Sequence, residues 1–159
     1  EQIDMAIRIG LPNDDSLIGR VMYEERSALY ASPAYLKEHG MPKNIEELAQ
    51  HKWISLTQMS QNGEQNLLHD EQHYHFTPSH YHQTNSPLVA QSMTLAGQGI
   101  GVLLPVTVKK ECEAGQLIPI GLGVSAFSAV FTLVYPSRKQ VPARARVLID
   151  YLLSVDIFS

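Results

Sequence analysis

The side chains best placed to do chemistry are Thr84, Asn85 and Ser86, which stand together immediately before Pro87. Two hydroxyls and a carboxamide can hydrogen-bond a small polar molecule, but they contain no nucleophile paired with a base. Ser86 suits the cap of a helix and Pro87 its first residue, because the amide that proline lacks would be unpaired there anyway. Amides at such a helix start favour an anion by roughly 0.3 to 2 kcal/mol.

Five histidines between positions 69 and 82 form a second group: His69, His73, His75, His80 and His82. On strands, His73-x-His75 and His80-x-His82 would each carry two rings on one face. No cysteine stands among them and no H-E-x-x-H helix is present, so no metal is assigned. Asp14-Asp15 lacks the ligand series of a calcium loop. Cys112, the only cysteine, falls late in a predicted helix without a neighbouring base and permits no intrachain disulfide, as expected in a reducing compartment. Gly97-x-Gly99-x-Gly101 follows a helix and precedes a strand, the reverse of a dinucleotide fingerprint, so the glycines serve a tight turn. With no paired acid and base and no nucleophile elbow, neither catalysis nor a cofactor is expected.

The elements that position these residues are legible from caps and periodicity. A helix from Pro87 to Ala96 stops at Gly97, and Val102 to Leu104 follows as a buried strand. Ser32-Pro33 repeats the cap-plus-proline device for a helix through His39, stopped by Gly40. Asn44 and Glu47 suit a capping box, and Trp53 to Leu56 a strand. Ile3 to Ile9, Arg20 to Ala31, Leu117 to Ile120 and Ala129 to Val134 read as further extended segments. Helices are predicted from Pro105 to Ala114 and from Pro142 to Leu153, the latter sharing Val147, Leu148, Tyr151 and Leu152 on one face. Residues 58–83 read as the least regular stretch. Strands alternating with helices indicate an open α/β fold, and two extended crossings indicate two lobes.

The 159 residues, 44% hydrophobic and 18% charged, suffice for one substantial core or two small lobes. A formal charge of -4 argues against a phosphate-binding surface, and no apolar run reaches the roughly 20 residues that cross a bilayer. A cytoplasmic protein without a membrane partner is expected.

Taken together, Asp4-Met5-Ala6-Ile7-Arg8-Ile9-Gly10, Ala31-Ser32-Pro33-Ala34-Tyr35-Leu36, Gly40-x-Pro42, Leu48-Ala49-x-His51, the Thr84 to Pro105 stretch, Tyr135-Pro136 and Pro142-x-Arg144-x-Arg146 resemble, in order, the effector-binding domain of LysR-type transcriptional regulators. The resemblance implies a type 2 periplasmic-binding-protein-like α/β fold with two lobes and a cleft. It divides the chain into residues 1–28 and 122–159 for lobe I and residues 29–121 for lobe II. It further implies a small organic, anionic effector held by Thr84, Asn85, Ser86, Arg8 with its neighbours Ile9 and Gly10, and Ser32. In this family an intact domain starts with a strand, a helix and a strand ahead of the element matching Ile3 to Ile9. Lobe I is therefore expected to be incomplete, with apolar surface bare around Val147, Leu148 and Leu152. Partners implied are a second copy, in a dimer or tetramer, and promoter DNA through a helix-turn-helix absent from this sequence. A solute-binding protein of a transport system is the alternative on the same fold.

Overall fold

A computed structural model describes residues 6–9, 17–136 and 143–154, and these divide into two compact units. One comprises Glu1–Glu25 with Ser128–Ser159, the other Arg26–Phe127.

In the second unit the strands are β3 (Ala28–Ala31), β4 (Lys52–Leu56), β7 (His80–Thr84), β8 (Ile100–Leu103) and β9 (Ile118–Pro119), after β1 (Ala6–Ile9) and β2 (Leu17–Arg26) of the first unit. They form one sheet in the order β7-β4-β8-β3-β9. β4 runs parallel to β7, with Leu56 opposite Thr84, and parallel to β8, with Trp53 opposite Ile100. β3 runs the other way, its first residue Ala28 lying opposite Leu103. The carboxyl ends of β4, β7 and β8 thus share one edge of the sheet with the start of β3, whereas β3 exits at the opposite edge.

Alternation along β3 sorts two cores, since successive side chains point to opposite faces. Leu29 and Ala31 join Tyr35, Leu48, Trp53, Leu67 and Ile100 on one side. Tyr30 joins Leu103, Val108 and Leu117 on the other, with Leu95 and Cys112 against them. Helix α1 (Pro33–His39) starts at Ser32, whose hydroxyl accepts from Tyr35 N, and ends at Gly40. The short α2 (Ile45–Leu48) is capped by Asn44, which accepts from Glu47 N at 2.9 Å. The reciprocal bond of a capping box shifts by one residue, because Glu47 Oε1 takes Lys43 N rather than the cap amide. Helix α3 (Pro87–Leu95) closes on Gly97 at φ 79°. It packs tightly on β8, since a Cβ at Gly101 would collide with the Thr94 hydroxyl.

Two expectations are revised in this unit. The helix predicted from Pro105 is a 3-10 turn (Pro105–Thr107) followed by a short α4 (Lys109–Glu113). The stretch 58–83 is more regular than it reads: β5 (Gln65–His69) and β6 (Gln72–Phe76) form an antiparallel hairpin ahead of β7. Its two-residue turn puts Asp70 at φ 48° and Glu71 at φ 66°, a conformation usually signalled by Asn-Gly or Asp-Gly.

In the first unit β10 (Ser128–Pro136) lies between β1 and β2. β1 pairs antiparallel with it, Arg8 opposite Thr132 and Ile9 opposite Phe131. Helix α5 (Ala143–Ser154) packs Leu152 and Leu153 against Leu133 and Tyr135. Val147, Leu148 and Tyr151 are exposed, Val147 by 68%. Leu152 therefore does not belong to the bare face expected for it.

Candidate functional site

Thr84, Asn85 and Ser86 form the corner between β7 and α3, at the carboxyl edge of the parallel strands, where open α/β sheets place ligands. The corner is tied locally. Thr84 Oγ1 accepts from Ser86 N at 3.2 Å, and Ser86 Oγ accepts from Val89 N at 3.3 Å. Thr84 O accepts from Thr57 N at 3.0 Å, and Gln58 Nε2 donates to Asn85 O. With Pro87 lacking an amide, Leu88 keeps the one first-turn N–H without a partner among the described residues. The helix start therefore offers an anion less than its sequence promises.

Beside this corner the unit opens into a cavity of about 60 Å³ around the end of β4. Leu56, Met59, Ala90, Val102, Ala126 and Phe127 supply apolar walls, and Ser55, Gln65, Glu64, Ser60 and Asn66 the polar ones. Ala90 is one helical turn beyond Ser86 on α3, which links the cavity to the capped corner. Ser55 and Gln65 are 3% and 5% exposed. Gln65 Nε2 donates to Ser55 Oγ at 2.7 Å, so the serine proton remains free to meet an acceptor among the described residues or in the cavity. The wall at Ala126 and Phe127 is held by Ser27, whose Oγ accepts from both amides at 2.9 and 3.1 Å and whose own amide donates to Phe127 O at 2.8 Å.

Ser32 is not part of this constellation. It is 3% exposed, its hydroxyl caps α1 at 3.1 Å from Tyr35 N, and it leaves β3 at the far edge of the sheet. Strand direction separates the two: β3 is antiparallel to β8, so its end and the ends of β4 and β7 point opposite ways. Arg8 and Ile9 are placed by backbone pairing in the first unit's sheet, and Gly10 lies outside the described residues.

Ser55, Gln65, Glu64 and Ser27 were missed at the level of sequence. Ser55 carried a readable signal, a hydroxyl inside the apolar strand Trp53-Ile54-Ser55-Leu56. Gln65 lay in the stretch taken as irregular. The paired histidines do lie on strands, His73 and His75 on β6, His80 and His82 on β7, all four exposed. No group of three His, Cys, Asp or Glu among the described residues could hold a metal ion.

Away from the cavity, a buried polar cluster joins α1 to the start of β4. Tyr35 Oη accepts from Lys52 N at 3.0 Å and bonds His51 Nδ1 at 2.7 Å. The phenol oxygen thus serves the Lys52 amide and shares a second hydrogen bond with the His51 ring. Burial lowers the His51 pKa, the nearby His39 lowers it further, and Glu47 opposes both. Burial likewise raises the Tyr35 phenol, partly offset by the Lys52 amide. In Cys112 burial and then Glu111 raise the thiol pKa, the reverse of what a reactive thiolate needs.

The α/β architecture is of the periplasmic-binding-protein-like kind. The family model described as the LysR substrate binding domain matches residues 1–156, and the chain belongs to that family. It is 33% identical over 153 residues to the HTH-type transcriptional regulator CrgA of Neisseria meningitidis serogroup C (strain 8013), covering 96% of this chain and 51% of that regulator. The chain thus spans about half the length of the curated relatives it matches. Among solved structures, the regulatory domain of AphB from Vibrio vulnificus, treated with cumene hydroperoxide, superposes with a TM-score of 0.79 at 26% identity, covering 96% of this chain and 75% of that one. The CrgA regulatory domain from Neisseria meningitidis gives 0.73 at 32% identity, covering 96% and 74%. These relatives are transcriptional regulators, and they give no support to the transport alternative.

Proposed function

We propose that this chain is the ligand-sensing part of a DNA-binding transcriptional regulator, and that the molecule sensed is held at the carboxyl end of β4. The observation that carries the reading is the cavity there, lined by the buried Ser55 and Gln65 and by Leu56, the strand partner of Thr84. Buried polar groups facing a small hollow provide oriented hydrogen bonding within apolar walls, the usual make-up of a small-molecule site. The chemistry is binding without turnover.

A ligand regulates only through different affinity for two conformations, and a full reversal of populations takes about 5.5 kcal/mol of differential binding. In the longer protein this shift would alter how copies assemble on promoter DNA in the cytoplasm. Promoter contact falls to a helix-turn-helix of the kind the relatives' names declare. Leu88 and Val89, 71% and 46% exposed on α3, give an apolar outer face for pairing with a second copy.

Thermal-shift screening of small metabolites against this chain and its Ala90→Phe variant tests the reading. A ligand that stabilises the parent is expected to lose its effect when the phenyl group fills the cavity. Undiminished stabilisation of Ala90→Phe would move the site elsewhere.

A further inference from the structure

We infer that the cavity at the end of β4 receives the amine-bearing, cationic end of the ligand rather than a carboxylate. The inference rests on the proposal that this cavity is the effector site, and it names the chemistry that the site selects.

The polar lining comprises Ser55, Ser60, Glu64, Gln65 and Asn66, with no lysine, arginine or histidine among the lining residues. Lys52, the cation on β4, begins that strand and so stands at its other end. Glu64 is the one charged group in the wall. Its backbone is fixed on both sides, with its amide donating to Gln61 O at 3.2 Å and its carbonyl accepting from Ser60 Oγ. Its carboxylate makes no ion pair with a described residue. The carboxylate of a half-buried residue beside apolar walls, without an ion pair to a described residue, repels an entering anion and attracts a cation that can donate to it.

The neutral groups do not oppose that sign. Asn66 Oδ1 is engaged by His75 Nδ1 at 2.6 Å, and the Gln65 amide nitrogen is spent on Ser55 Oγ and Gly63 O. The Ser55 hydroxyl proton and Asn66 Nδ2 stay available as donors and the Gln65 carbonyl oxygen as an acceptor, so the Glu64 carboxylate alone decides the sign. Leu88 N, the amide left at the α3 start, does not line the cavity. The size suits a head group: about 10 to 15 Å³ accommodates one water by this measure, so 60 Å³ takes an ammonium or amino-alcohol end and leaves the rest of the ligand outside.

The test compares propyl to pentyl primary amines, the corresponding amino alcohols and the corresponding carboxylates by thermal shift on the full 159-residue chain. Amines or amino alcohols are expected to raise the melting temperature saturably, and the carboxylates to have no effect. Glu64→Gln, which keeps the shape and removes the charge, is expected to weaken amine binding about tenfold. Glu46→Gln, an exposed carboxylate on α2, is expected to leave it unchanged. Stabilisation by carboxylates alone, by neither class, or by amines equally in Glu64→Gln overturns the inference. Ala90→Phe, with Ser55→Val as a second filler should the first fail to fold, separates the two levels. Carboxylate stabilisation abolished by the filler leaves the site standing and removes the amine, whereas stabilisation by either class that survives it removes both.

Discussion

Two helices of the second unit begin with the same dipeptide, Ser32-Pro33 and Ser86-Pro87, yet the two starts do different work. In both, the serine hydroxyl accepts from the amide three residues on, at 3.1 Å in α1 and 3.3 Å in α3. Ser32 is sealed under α1 and Gly97, whose hypothetical Cβ would sit 3.1 Å from its oxygen. Ser86 is half-buried between the carboxyl end of β7 and the start of α3. The dipeptide specifies a helix start by local physics, whereas the direction of the strand before it decides at which end of the sheet that start stands.

Breaking the buried side of this pair should cost most. Tyr35→Phe leaves the Lys52 amide and His51 Nδ1 without the phenol, and each orphaned buried group costs about 1 to 3 kcal/mol. A combined loss of about 2 to 4 kcal/mol in urea unfolding is expected. Ser32→Ala removes a sealed cap, for about 1 to 2 kcal/mol, and is expected to leave ligand-induced stabilisation intact. Ser86→Ala should cost less, about 0.5 to 1 kcal/mol, because water can replace its hydroxyl. If Ser86→Ala proves the more damaging to stability, the contrast between the two starts fails.

Acid sharpens the comparison from another side. Burial, and then the nearby His39, lower the His51 pKa in the fold below the unfolded value of about 6.5. The unfolded chain then takes up the proton first. Stability is fully present above that value and is lost as pH falls towards the folded pKa. Unfolding midpoints measured across this range should decline on acidification, with a smaller decline in His51→Gln. An equal slope in that variant would take the effect away from His51. The smallest effect is expected at the hairpin turn, where Glu71→Gly relieves a left-handed backbone and should add up to about 1 kcal/mol.

Much of the fold was legible because its signals are local. Ser32, Asn44 and Ser86 cap the helices predicted for them, and Gly40 and Gly97 end theirs. The hairpin β5–β6 escaped notice because Asp70-Glu71 lacks the glycine that announces such a turn. The site was less legible, since it depends on strand direction and on distant pairs. Gln65 meets Ser55 across two strands, and Ser27 meets Phe127 at a separation of 100 residues. The resemblance groups Ser32 with Thr84 to Ser86, whereas the sheet sets them at the ends of strands that run in opposite directions.

The Ser27 clamp makes Arg26–Phe127 an insertion in the topological sense. The chain leaves β2 at Arg26 and enters β10 at Ser128, and these strands are neighbours in one sheet. Everything between them is therefore tethered at a single doorway, closed by the hydroxyl and amide of one serine. Such a module can be excised, grafted or exchanged between homologous hosts without rethreading either sheet, because its entry and exit already touch.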